Sequence, residues 1–193
     1  METANHSEDQ IIIDKPLTFS TEIKACILAD GKLSRYYIMN TASTLNFRIA
    51  TKEDLKEIIK MMADDPLGSQ REVVSEIISE KYLSAFEKIQ ADPNQELTVA
   101  EMNGVLVATF QLTFIQYLNF QGGVRAQIEA VRTNSNYRGR GIGTKVFEYA
   151  INRAKAKGCH LIQLTTDKAR PDALRFYEKL GFKATHEGMK LKL

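Results

Sequence analysis

The segment Arg138-Gly139-Arg140-Gly141-Ile142-Gly143 runs directly into an amphipathic stretch, Thr144 to Lys157, and no other feature constrains the fold as tightly. Three glycines at alternate positions let the backbone turn sharply with its N–H groups facing outward. The helix that follows leaves its first amides unpaired and puts the positive end of its dipole in the same place. Such a loop is a nest for a phosphate or pyrophosphate, and Arg138 and Arg140 add charge to it.

Two familiar glycine loops do not fit. A Walker A loop ends in Gly-Lys-Ser/Thr, whereas the order here is Gly143-Thr144-Lys145, and the spacing back to Gly139 also fails. A dinucleotide fingerprint needs a third glycine where Thr144 stands, and it opens near the first strand of its domain rather than two-thirds of the way along. A plain turn starting a helix would not require two arginines.

Residues 1 to 44 read as an N-terminal extension. Its first ten residues are polar and expected to be disordered. Ile11-Ile12-Ile13, Lys24 to Leu28 and Tyr36-Tyr37-Ile38 are candidate short strands, and Met39 is a candidate native start. From Leu45 the pattern is firmer. Leu45 to Ala50 alternates as a half-buried strand, Thr51 and Asp54 look like an N-cap pair, and Leu55, Ile58, Ile59 and Met62 form one helical face. Asp64 to Gly68 breaks that helix, and a second is expected from about Arg71 to Ile89 with Val74, Ile77, Ile78, Tyr82 and Phe86 inward. Asn103-Gly104 between two apolar runs signals a hairpin. A strand follows over about Val124 to Thr133, then the loop, a helix ended by Gly158, a strand from Leu161 to Thr165, a helix from Pro171 to Lys179 and a terminal hairpin over Lys183 to Leu193. This order predicts an α/β (α+β) domain whose mixed sheet carries helices on both faces.

Composition excludes several classes. The 193 residues are 44% hydrophobic and 26% charged with a net charge of +2, enough to bury a core and too balanced for a nucleic-acid footprint. No apolar run is long enough to span a membrane and no signal core opens the chain, so a cytoplasmic location is expected. Two cysteines and three histidines are too scattered for a metal cluster. His160 is read as structural.

Two stretches carry a resemblance. Ile128 to Tyr137 leads into Arg138-Gly139-Arg140-Gly141-Ile142-Gly143, and further on stands Asp172-Ala173-Leu174-Arg175-Phe176-Tyr177-Glu178-Lys179-Leu180-Gly181-Phe182. Together these resemble the pyrophosphate loop and the later helix-and-turn motif of the GNAT family of acyl-CoA-dependent N-acyltransferases. The likeness covers about residues 46 to 193, so a catalytic domain at 45–193 is expected. It implies the GNAT fold, a mostly antiparallel sheet with a central V-shaped splay. It also implies acetyl-CoA as co-substrate and no metal.

By the same resemblance, the loop residues Arg138, Gly139, Arg140, Gly141, Ile142, Gly143 and Thr144 would hold the phosphates. The strand residues Val131, Arg132 and Thr133 would offer an edge to the pantetheine arm, with the Val131 N–H as an oxyanion donor. Asp172 stands where many members carry Asn, and it would meet that arm or cap its own helix. Glu129 matches the general base, a half-buried carboxylate of raised proton affinity, against the alternative of an ion pair with Arg125 or Arg132. Tyr177 matches the general acid. The acceptor pocket would be built from Met62 to Arg71, Phe114 to Gly123 and Thr185 to Met189, where Asp64, Asp65 and Glu187 could draw a cationic amine. A small-molecule amine is the first expectation and a protein lysine or N-terminus the second. A non-catalytic acyl-CoA sensor is a third reading. No nucleic acid or membrane partner is expected, and a homodimer is allowed.

Overall fold

The structure is a computed structural model, and it describes residues 26–27, 33–34, 44–64 and 68–193. Within the extension, Cys26–Ile27 pairs antiparallel with Leu33–Ser34. The candidate strands at 11–13 and 36–38, and Met39, lie outside the described residues.

The domain is built on one five-stranded sheet in chain order: β1 (Leu45–Ile49), β2 (Gln95–Met102), β3 (Val105–Gln116), β4 (Val124–Thr133) and β5 (Leu161–Gln163). The first four run antiparallel to their neighbours. β5 is parallel to β4, because α3 (Ile142–Ala156) carries the chain back between them. The hairpin between β2 and β3 turns at Asn103 (φ 52°) and Gly104 (φ 76°), the left-handed pair that a two-residue turn needs.

Alternation along β3 sorts its side chains between two layers. Phe110 and Leu112 are fully buried and Phe114 nearly so, on the face covered by α3, where Ile142, Val146, Phe147 and Ala150 meet them. On the other face α1 (Leu55–Ala63) and α2 (Glu80–Ala91) enclose a second core with Ile58, Met61, Phe86, Leu97 and Val99. That cover stops part-way. Beyond Thr109, the same-face residues Gln111, Thr113 and Ile115 are only half-buried.

The turn into α1 is locked by charge. Asp54 accepts from the Thr51 backbone N–H at 2.7 Å and from both terminal nitrogens of Arg48 at 2.6 and 2.9 Å, with its side chain 8% exposed. The hydrogen bonds from Arg48 hold the Asp54 carboxyl below the usual carboxylate range, against the upward push of burial. Its folded value lies below its unfolded one. The stabilisation is therefore present above about pH 4 and lost as pH falls through the folded value. Asp54→Ala is expected to lower stability by about 2 kcal/mol, less than for a fully buried pair because Arg48 reaches solvent, and to flatten this acid dependence. Urea melts between pH 3 and 7 check both.

Two expectations are corrected. The second helix begins at Glu80, not near Arg71; residues 71–79 are not helical, and Val74 and Ile77 are 51% and 84% exposed. Ser79, in an extended conformation, takes the N-cap position and accepts from the Tyr82 and Leu83 N–H groups through its backbone carbonyl, and the branched residues before it disfavour helix. The extended segment is tied back by Tyr82, whose hydroxyl donates to Glu72 at 2.7 Å and accepts from the Val73 N–H at 3.2 Å. The terminal hairpin is also absent: residues 183–193 form no strand, and Met189, Leu191 and Leu193 are exposed. Alternation marks a segment as able to pair, but a ladder needs a partner, and β5 offers only three residues.

Candidate active site

β4 and β5 are paired only where Arg125–Gln127 faces Leu161–Gln163. Past that point β4 continues to Thr133 while the chain after Gln163 leaves the sheet. Ala130, at φ 51°, marks a bulge, and the β3–β4 register shifts between Thr109 and Gln111. The strands therefore splay, and the wedge between them is a cavity of about 650 Å³. Residues 128–133 form one wall and Leu164 to Asp167 the other, with the glycine loop at one end and Phe176 and Tyr177 of α4 (Pro171–Lys179) closing over it.

In the glycine loop, Gly139 and Gly141 take φ of 75° and 77°, and a Cβ at either would meet nothing within 4 Å. Glycine is needed there for backbone conformation rather than for space, which leaves the surrounding amides open to a ligand. Ile142, 1% exposed, anchors the turn in the core. Gly143 and Thr144 open α3 against the cavity. The loop amides, the helix N-terminus and an open cradle fit the phosphates of acetyl-CoA, and the free length of β4 fits an extended amide arm.

The remaining expected cofactor residues divide. Val131, Arg132 and Thr133 line the cavity, as do Arg138, Gly139, Gly141, Ile142, Gly143 and Thr144. Arg138 lines it while otherwise engaged: it donates to the Asp64 carboxylate at 2.9 Å, to the Asp64 carbonyl at 2.8 Å and to the Thr133 carbonyl at 3.1 Å. Arg140 lies outside the lining, its guanidinium 5.1 Å from the centre of the Tyr137 ring. Asp172 also lies outside it, paired with Arg175 on the exposed first turn of α4; the N-cap there is Arg170, not Asp172.

Tyr177 stands on the cavity wall, ringed by Phe147, Phe176 and Phe182 at 5.4, 5.5 and 6.2 Å. Burial pushes its hydroxyl above the ordinary tyrosine range, while the charges of Arg170 and Arg132 pull the other way. A phenol that keeps its proton beside two cations is placed to donate to a developing anion. Glu129 lines the cavity too, but it is exposed rather than half-buried, so the burial on which its basicity was argued is missing. Neither Arg125 nor any other described cation lies within 4 Å of it, so the ion-pair alternative is not realised among the described residues.

None of the three segments expected to build the acceptor pocket contributes a described lining residue. Asp64 is paired with Arg138, Glu187 pairs with Lys168 at 3.0 Å in solvent, and Asp65 lies outside the described residues. Sequence reasoning missed Leu164 to Asp167, Arg170 and Phe147. Pro171 at the helix start is the one local signal that could have flagged Arg170. Among the described residues no helix is long and apolar enough to cross a membrane, and no three potential ligands gather as a metal site would.

Comparison with known proteins agrees with this geometry. The model of the Acetyltransferase (GNAT) family matches residues 57–182. A solved structure described as a transcriptional regulator from Bacillus halodurans C-125 is 52% identical and covers 77% of this chain and 99% of its own, with a TM-score of 0.75. The aminoalkylphosphonate N-acetyltransferase of Salmonella typhimurium is 26% identical over 139 residues, 72% of this chain and 85% of that protein. An uncharacterised N-acetyltransferase of Methanocaldococcus jannaschii is 25% identical over 145 residues, and the chain spans 63% of its length. A family model across most of the domain, on a splayed sheet with a glycine loop at its mouth, identifies the chain as a member of the acetyltransferase (GNAT) family, an acetyl-CoA-dependent N-acyltransferase.

Proposed function

We propose that the chain transfers an acetyl group from acetyl-CoA to the primary amine of a small molecule by direct attack. The observation that carries this is the opening of one cavity to Glu129 on β4 and Tyr177 on α4, on either side of the splay. An amine attacks only when neutral, and Glu129 takes its proton, directly or through water. The nitrogen–carbon bond forms as the carbon–sulfur bond breaks. The Val131 N–H supports the charge on the thioester oxygen, and Tyr177 gives its proton to the leaving sulfur. The aminoalkylphosphonate relative acts on a small amine, which favours that acceptor class over a protein.

In this reading the phosphates are held by the backbone amides from Gly139 to Thr144, with Asp172 taking no part. Arg138 holds the loop to the end of α1 through Asp64. Asp64→Asn and Arg138→Met are then expected to weaken CoA binding in parallel, by about three- to tenfold, with stability changes below about 1 kcal/mol because both side chains are exposed. Titration calorimetry checks it. Tighter binding in Asp64→Asn would mean that Arg138, once released, is itself the phosphate ligand.

The decisive assay is free-thiol release from acetyl-CoA against polyamines, aminoglycosides, amino acids, amino sugars and lysine peptides. Release with a small amine is the expected result. Release only with lysine peptides or a protein N-terminus would replace the small-molecule reading.

A further inference from the structure

One stretch of the sheet has no role in the chemistry above. On the face where α1 and α2 stop short, β3 shows Gln111 and Thr113, β4 shows Gln127 and Glu129, and β5 shows Gln163, while Ala126 and Ile128 turn beneath α3. In register, Gln111 stands opposite Glu129 and Thr113 opposite Gln127, which has Gln163 on its other side. The four neutral residues are half-buried, and of the five only Glu129 also lines the cavity. They form a floor that runs out from the proposed base, away from the glycine loop. Arg125, the next cation along β4, lies over the Tyr117 ring on the side away from Glu129. Beyond Glu129, the charge of Arg132 acts on Tyr177 across the cavity. The floor itself is therefore polar and uncharged.

Two runs of hydrogen bonds settle which end of each amide is already engaged. The Asp92 carboxylate can only accept, so Gln95 donates its Nε2 to it at 2.9 Å and accepts through its oxygen from Gln111 at 2.7 Å. Gln111 is left with its amide oxygen. On the other side Gln163 donates Nε2 to the Gln127 oxygen at 2.7 Å, which leaves Gln127 with the two hydrogens of its nitrogen. Among the described residues no partner meets that oxygen, that nitrogen or the Thr113 hydroxyl. Gln111 leans toward β2 and Gln127 toward β5, with Thr113 between them. An acceptor, a hydroxyl and a donor thus stand in a row across the strands. Half-buried polar groups of both senses call for a ligand whose groups both give and take. A hydroxyl does so, whereas an ammonium only donates and a carboxylate only accepts.

We propose that the acceptor is a polyhydroxylated amine of the amino-sugar class: its nitrogen meets Glu129 and its hydroxyls pair with Gln111, Thr113 and Gln127. This rests on the reading that Glu129 receives the acceptor amine. Gln127 lies two residues from Glu129, about 7 Å along the strand, and neighbouring strands are about 4.8 Å apart. A hexose ring with its substituents covers that area. A polyamine finds no second carboxylate on this floor, and an amino acid finds no cation.

The test is thiol release by the full chain with glucosamine, cyclohexylamine, β-alanine, spermidine and glycinamide, each rate divided by the concentration of neutral amine so that basicity does not enter. Glucosamine is expected to exceed cyclohexylamine, a six-membered ring without hydroxyls, by about 30-fold in kcat/KM, the scale for two or three half-buried hydrogen bonds. Gln127→Met keeps the length of the side chain without its amide and narrows that preference about fivefold. Gln111→Met does the same from β3, and it serves alone if the first variant melts early by circular dichroism. Equal rates for glucosamine and cyclohexylamine, a preference that survives in both Met variants, or a higher rate with β-alanine, spermidine or glycinamide overturns the inference and leaves small-amine acetylation standing. No turnover of any amine while CoA still binds overturns the small-amine reading and the inference with it.

Discussion

Tyr177→Phe is expected to lower kcat by about ten- to a thousand-fold while CoA affinity changes little, the range for loss of a general acid. The ring remains, so its packing against Phe147, Phe176 and Phe182 is preserved, and only the proton leaves the site. The pH profile gives a second readout. Burial raises the Tyr177 pKa, so the protonated acid persists through the neutral range, and activity that depends on it declines only as pH rises above about 10. In the Phe variant that alkaline limb disappears. An unchanged kcat would remove Tyr177 from the chemistry and leave the thiolate to depart unassisted, or with a proton from water.

Phe147→Ala is expected to cost about 3–5 kcal/mol, a large share of the stability of an ordinary domain. Phe147 is 1% exposed and stands edge-on to Phe176, Tyr177 and Phe182 at 5.4 to 5.7 Å. α4 itself contains no fully buried residue, and Phe147 on α3 is the fully buried ring that its Phe176 and Tyr177 meet. Loss of the ring should therefore release Tyr177 as well as destabilise the core, and kcat should fall even at temperatures where the protein stays folded. Phe110→Ala is the control. Phe110 is also fully buried, but it packs against Phe47 and Tyr149, away from the cavity. Its variant should lose comparable stability in a thermal melt and keep its kcat. Equal losses of kcat in both variants would mean that global loosening, not the seat of Tyr177, sets the rate.

Much of this architecture is legible in the residues because it depends on local rules. Asn103-Gly104 admits the left-handed turn between β2 and β3, Gly139 and Gly141 admit the open loop, and the four-residue repeat of Ile142, Val146, Ala150 and Ala154 draws the face of α3 that meets the sheet. Tyr177 is placed by its motif on a helix opened by Pro171. The errors fall where a partner decides. Val74 and Ile77 carry helical spacing, yet the helix opens after them at Ser79 and Tyr82 ties that segment into an extended path. Residues 183–193 alternate like a strand but find no ladder. Glu129 sits on a strand whose sheet face is left uncovered beyond Thr109, so its exposure depends on how far α1 and α2 extend over the sheet, which no pattern within β4 records.

By itself the sequence determined the order of the elements from β1 to α4 and the open turn of the glycine loop, and its likeness to the family picked out the two residues proposed for proton transfer. Backbone conformation at glycines and the periodicity of apolar side chains are local properties, carried by a few neighbouring residues. The tertiary structure alone decided where β4 and β5 part and that Arg138 turns to Asp64. Each of these joins residues distant in the chain, and its energy comes from charge and packing that exist only once the sheet has closed.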